Sequence, residues 1–405
     1  MASHCSGFKS HNPTISVKEE NGHVILSNLW EDDSFSCKYP IETDLSDLEN
    51  ICLPPSLTAI HHLDKNFIEY IWAPVDKSNH LLKRKFEFIY LQKTYKAEFT
   101  AASNVLKILA TGFTPTLQPS VTEYRNLRAF RDYYRNPPYL QEYFKNKVDT
   151  VFKISGDFVD VDLVMFAKTL NFYIHYFDRF SPFLLVFDNY KKEKHPIPCF
   201  SKVNTFPTIL TGHKMDPILI DLFEVARKTA NVRLRFLFYY QVLEYCSYYH
   251  LNETLKKKLT NIIKRPDLMS NTIEYGRLIT EEFKDYFKSH DDSAKLLKLL
   301  EDFINNSDIK QEIGINIDFF KKVHTFDGDF SLEALITNEQ ELDSPNKDLV
   351  KKIKQHLEKI RNVLVHIRES RENKVILPTE KNTDILRPYL YLIHRIAEHV
   401  AINYE

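Results

Sequence analysis

Glycine is scarce in this 405-residue chain, at eight residues, so its turns must lean on Asn, Asp and Pro. No uncharged apolar run approaches the roughly 18 to 20 residues of a membrane span. The polar stretch from Met1 to Pro13 also lacks the apolar core of a signal peptide. Five cysteines, Cys5, Cys37, Cys52, Cys199 and Cys246, have an odd count and no Cys-x-x-Cys spacing. That pattern fits free thiols in a reducing compartment better than a disulfide frame, and a cytoplasmic protein away from membranes is expected. Basic and acidic residues nearly cancel, 54 against 55, for a net charge of −1. This excludes a globally basic coat for nucleic acid but leaves local patches open. No Gly-rich phosphate loop, Gly-x-Ser-x-Gly or His-Glu-x-x-His motif is present.

What the chain has instead is aromatic mass, 29 Phe and 22 Tyr, enough for sizeable cores. At about 100 to 200 residues per domain, its length predicts two or three domains. Thr14 to Lys18 and His23 to Leu29 read as strands of a tight hairpin around Asn21-Gly22. Phe67 to Trp72, Arg84 to Phe99 and Val151 to Phe158 read as further strands, and Phe86 to Tyr90 alternates as a half-buried strand does. Ala101 to Ala110 reads as a helix, and so does Tyr124 to Lys147, interrupted at Pro137-Pro138. Val161 to Asp188 reads as a helix and a buried strand divided by Pro182, with Lys191 to Pro198 as a linker. The expectation is an α+β first domain over residues 1–200.

Residues 215–405 read as a helical domain. Pro217 to Ala230, Arg233 to His250, Glu274 to Ser289 and Ala294 to Ile304 carry helical apolar spacing, and the second is apolar around most of its circumference, as a central helix is. Ile309 to Asn346 is less regular. Asp348 to His366 places Leu349, Ile353, Leu357, Ile360 and Leu364 on one stripe, and Asp384 to Asn403 makes a last helix.

The stretch Lys359 to Glu369 closes the penultimate helix with Arg361, Asn362, three aliphatic residues and His366. The bare Arg-to-His spacing is expected about 0.6 times by chance in such a chain, and Arg387 with His394 matches it loosely. Context sets the first match apart: the polar Asn362, the aliphatic filler and the helical domain around it. From Lys351 to Glu372 seven basic residues face three acidic ones, a local balance of +4. The cations are either a footprint for RNA, with Lys354, Lys359, Arg368 and Arg371 as the contacts, or the solvated face opposite the apolar stripe.

On these residues the chain resembles the HEPN superfamily, over about residues 215–405, and more loosely the ApeA-like bacterial HEPN defence proteins. The resemblance implies an all-α bundle and metal-independent RNA cleavage without a cofactor, by a homodimer or higher homo-oligomer that brings two motifs together. It also implies a toxin-like effector of anti-phage defence, with a first domain that senses a phage-derived or nucleotide trigger. In that chemistry His366 acts as general base or acid for attack of a ribose 2′-OH on phosphorus, since imidazoles titrate near neutrality. Arg361 grips the scissile phosphate and stabilises its charge. Asn362 orients the imidazole or bonds a phosphate oxygen. On a straight helix Arg361 and His366 lie about 140° apart. A site built from them therefore needs a helix that ends or bends between them, or two subunits. The alternative is a catalytically inactive HEPN-like module for dimerisation or for binding a nucleotide or partner, with Arg361 at a basic helix end and His366 as packing.

Lesser candidates read more blandly. His61-His62 on a strand point to opposite faces, Asp157, Asp160 and Asp162 suit a solvated turn, and Arg125-Asn126 and Arg135-Asn136 lack a His. Glu244 on the central helix is either a partner of the site or an ordinary hydrogen-bonding residue.

Overall fold

The computed structural model describes residues 6–33, 35–114, 126–181, 183–187, 193–199, 206–212, 214–250, 253–289, 292–304, 306–342, 347–366 and 374–404. It falls into two compact units, Met1–Asn189 and Tyr190–Glu405. The first is β-rich with helices, and the second is helical.

The first unit opens with α1 (Ser6–His11) and a three-stranded antiparallel sheet, β1 (Ser16–Glu20), β2 (His23–Ser27) and β3 (Ser36–Pro40). Asn21 and Gly22, at φ of 51° and 72°, make the two-residue turn that the Asn-Gly pair predicts. Then come β4 (Ile51–Cys52), β5 (Ala59–His62), β6 (Phe67–Asp76), β7 (Lys85–Tyr90) and β8 (Lys93–Ala101). They are followed by α2 (Asn104–Gly112), α3 (Leu127–Arg135), α4 (Gln141–Phe144), β9 (Lys147–Ser155) and α5 (Leu163–Phe177). The strands β4 to β9 form one antiparallel sheet in the order β4-β5-β6-β9-β8-β7.

Both faces of this sheet are covered, because alternate residues feed different cores. Ile60, Ile71 and Val151 pack with Trp30, Leu106 and Phe130, while Tyr70, Phe152 and Ile154 pack with Phe88, Tyr95 and Phe166. Buried Glu69 ties sheet to helix: it bonds His62 Nε2 at 3.0 Å and accepts from the backbone N–H of Ser103, the α2 N-cap, at 2.7 Å.

Two sequence expectations need correcting here. Arg84 to Phe99 is a hairpin, turning at Leu91 and Gln92 with φ of 48° and 65°, residue types that do not announce a left-handed turn. The buried strand expected before Asp188 is a strap at residues 183–187 with one bridge, Leu57 to Val186. Pro182 lies outside the described residues.

The second unit runs through α6 (Pro217–Lys228), α7 (Val232–Tyr249), α8 (Glu253–Ile263), α9 (Thr272–Ser289), α10 (Asp292–Phe303), α11 (Asn306–Ile315) and α12 (Ile317–Phe320). A two-stranded ladder of β10 (His324–Thr325) and β11 (Ser331–Leu332) precedes α13 (Lys347–His366) and α14 (Glu380–Asn403). α7 packs against α6, α10, α13 and α14. It is central but not buried all round, since Leu234 and Tyr248 are exposed. The Lys191 to Pro198 linker is tied down where it is described: Asn316 Nδ2 donates to the Pro196 carbonyl at 3.0 Å. Among the described residues no helix is long and apolar enough to cross a membrane.

α13 and α14 meet through His356, 7% exposed, whose Nδ1 bonds Tyr389 Oη at 2.9 Å. Burial holds this imidazole down at about 4, and the Lys359, His324 and Lys352 charges push the same way. The unfolded chain takes up the proton first, so stability is full above about pH 6.5 and falls as the pH drops toward 4. Over that window about 3 kcal/mol is expected to be lost. Urea unfolding of the full chain across the window reads it, and His356→Gln should flatten the slope; an unchanged slope counts against the assignment.

Candidate functional site

The apolar stripe of α13 buries Leu349, Ile353, Leu357, Ile360 and Val363, and this turns Arg361, Asn362 and His366 away from the core. Tyr240 and Glu244 lie one turn apart on α7 and meet Arg361 from the side. The Arg361 Nη2 donates to Glu244 Oε1 at 2.7 Å and its Nη1 to Asn362 Oδ1 at 3.0 Å. The guanidinium carbon stands 5.5 Å from the Tyr240 ring centroid. Burial raises the Tyr240 phenol above its ordinary value, with Glu358 and Glu244 adding to this, so it stays a neutral platform.

The Arg361 side chain is 28% exposed and that of Glu244 42%, which makes the pair worth about 0.2 to 1 kcal/mol. Its use is orientation rather than stability. The two bonds occupy two of the five guanidinium N–H donors and leave an accessible cation held in place. His366 is exposed, the last residue of α13, and has no hydrogen-bond partner among the described residues.

α13 is one helix from Lys347 to His366, so it neither ends nor bends between Arg361 and His366. They stand about 7.5 Å apart along the axis and on different sides of it. Within one copy the two side chains do not share a face of α13.

The RNA-contact residues fare unequally. Lys354 is withdrawn: it is 7% exposed, pairs with Glu358 at 2.8 Å and bonds Ser293 Oγ. Lys359 is exposed on α13, and Arg368 and Arg371 lie outside the described residues. Lys352 reaches Glu341 at 3.4 Å. What the described part of α13 presents is thus a sparse set of cations around an oriented arginine.

The other sequence candidates have structural roles. Buried His62 bonds Glu69, and His61 packs edge-on to Phe158. Asp157 pairs with Lys93 at 2.8 Å and Asp162 caps α5. Asn126 and Asn136 flank α3 at positive φ, and Arg125 is outside the described residues. Arg387 pairs with Asp384 at 3.0 Å.

Sequence reasoning missed two features. Tyr240 was one more aromatic on an aromatic helix, although its four-residue spacing to Glu244 was visible. The second is a charged cluster on α14: Arg395 bonds Glu312 and Glu398, each at 2.7 Å, and His394 bonds Glu398 at 3.2 Å while stacking on Tyr239. Burial raises the Glu312 carboxyl against the pull of Arg395. Burial also works to raise Glu398, but its bond to His394 and the neighbouring cations bring it below its ordinary value.

Comparison with protein-family models, with curated proteins and with solved structures finds no match to this chain.

Proposed function

We propose that the helical unit is a HEPN-type domain that cleaves RNA without a metal ion, using Arg361, Asn362 and His366. The observation that carries this reading is the oriented, accessible guanidinium of Arg361 on the same helix end as an exposed imidazole that has no partner among the described residues. His366 takes the proton of a ribose 2′-OH as that oxygen attacks the adjacent phosphorus. Arg361 holds the non-bridging oxygens, the 5′-oxygen leaves with a proton drawn from water while His366 returns its own to solvent, and the products are a 2′,3′-cyclic phosphate and a 5′-hydroxyl. Because the two residues diverge around α13, the working site takes Arg361 from one copy and His366 from another. In the cell this would be a cytoplasmic, toxin-like effector of bacterial anti-phage defence, with the first unit as its sensor.

Purified protein incubated with total RNA in EDTA is expected to leave 2′,3′-cyclic phosphate ends. A strict metal requirement, or 3′-hydroxyl ends, would sink the mechanism. A second reading has its own observation: Glu244 already neutralises Arg361, as it would in a non-catalytic module for dimerisation or for binding a nucleotide or partner. Absence of cleavage by the wild type under every trigger tried favours that module.

A further inference from the structure

α5 is apolar on two sides. One side buries Phe166, Ala167 and Leu170 in the core that holds Phe88 and Tyr95. Met165, Phe172 and Tyr176, seven and four residues apart, share the far side, where a surface helix carries polar residues. Phe177, the last residue of α5, and Phe180 extend this face, and the rings of Tyr176 and Phe177 touch with centroids 5.2 Å apart. The turn after the helix is built rather than loose. The Asp178 carboxylate accepts from the Phe180 N–H at 3.0 Å, from Ser181 Oγ at 2.8 Å and from Arg84 Nη2 at 2.6 Å, which holds Phe180 outward.

The size of the face says what it is for. Phe172, Tyr176, Phe177 and Phe180 are 66%, 74%, 84% and 96% exposed. At roughly 200 Å² for each aromatic side chain they present about 600 Å² of surface, the upper end of what an ordinary monomer leaves open in one apolar patch. Met165 and Tyr173, each about half exposed, bring it close to the roughly 800 Å² that each partner of a stable complex buries.

We propose that the outer face of α5 is covered by α5 of a second copy of this chain, packed antiparallel across a two-fold axis. Charge selects this occupant. Asp160 and Asp162 are exposed at one end of the face and Arg179 at the other, so an antiparallel pair sets unlike charges together at both ends and opposes the two helix dipoles favourably. An axis level with the Leu170–Asn171 peptide puts Met165 of one copy against Tyr176 of the other, Thr169 against Phe172, and Asp162 beside Arg179. A two-fold interface must be self-complementary in this way. An anionic bilayer would instead meet the two carboxylates. The face lies in the first unit, so the inference does not rest on the ribonuclease reading.

Sedimentation of the full chain over a dilution series reads the self-association. The wild type should form a dimer, and Phe172→Glu with Tyr176→Glu should weaken it at least about 10-fold, as loss of central aromatic anchors does. Phe172→Lys with Tyr176→Lys should weaken it as much. Both pairs of substitutions lie on the outer face, so circular dichroism and the melting temperature of the dilute, monomeric protein should match the wild type. Mixing the acidic and the basic variant should restore a dimer holding one copy of each, because a two-fold axis sets each face against its own kind in the separate variants and against its opposite in the mixture. The proposal is overturned if the wild type is monomeric, if it is monomeric and sediments with phosphatidylcholine vesicles, if both variants associate as tightly as the wild type, or if the mixture gains no dimer.

Discussion

His366→Ala is expected to lower RNA cleavage about 10²- to 10⁴-fold, the range a general acid–base group supplies, while leaving thermal stability within about 0.5 kcal/mol. The separation of the two effects follows from its place. His366 is exposed at the end of α13 and has no partner among the described residues, so packing loses nothing when it is removed. Arg361→Ala should cost a similar factor in rate and, through its pair with Glu244, up to about 1 kcal/mol in stability. The divergence of the two side chains allows a sharper test. Mixing the two inactive variants under conditions of subunit exchange should restore about a quarter of wild-type activity if sites form across a two-fold dimer: half the dimers are mixed, and each has one intact site. No recovery places both residues in one chain. Wild-type rates from both single variants would remove them from the reaction altogether.

Arg395→Ala should destabilise the protein by about 3 to 5 kcal/mol, because it strands Glu312, which is 4% exposed. The loss should depend on pH with a definite sign. Burial already raises this carboxyl and Arg395 opposes the rise, so removing Arg395 lets it climb further. A carboxyl raised in the folded state contributes stability while it is protonated, and that stability drains away as the pH rises through its folded value. The variant should therefore lose less near pH 5 than near pH 8 in denaturant unfolding, and equal losses would refute the assignment. Replacing the pair together, Glu312→Leu with Arg395→Met, should recover most of the stability, since the cost lies in the unpaired charge.

Much of the helical unit was legible because burial writes a periodic signal. The α13 stripe follows from spacing, whereas α14 begins at Glu380, four residues before the Asp384 at which the spacing starts it. Lys354 shows where the reading slipped. It lies four residues after Val350 and three before Leu357, so the stripe pointed it inward, but the count of basic residues over Lys351 to Glu372 ignored direction. The Glu244–Arg361 pair spans 117 positions of sequence, and nothing local selects Glu244 from the other carboxylates. The Leu91-Gln92 turn was invisible for a different reason: tertiary pairing of β7 with β8 forces positive φ on residues with no preference for it.

Pro388 within α14 has one more consequence. It has no N–H to offer the carbonyl of Asp384, the helical acceptor four residues back. The Asp384 carboxylate in the same turn also keeps one buried oxygen without a partner among the described residues. The helical ladder is thus interrupted inside a continuous helix, and amide hydrogen exchange should divide α14 there. The stretch beyond, buried through Leu392, Ile393, Ile396 and Val400, should exchange only with the core, and the first two turns, held by buried Asn382 and Leu386 and by the Asn382 bonds to the Asp327 and Leu377 carbonyls, in a step of their own.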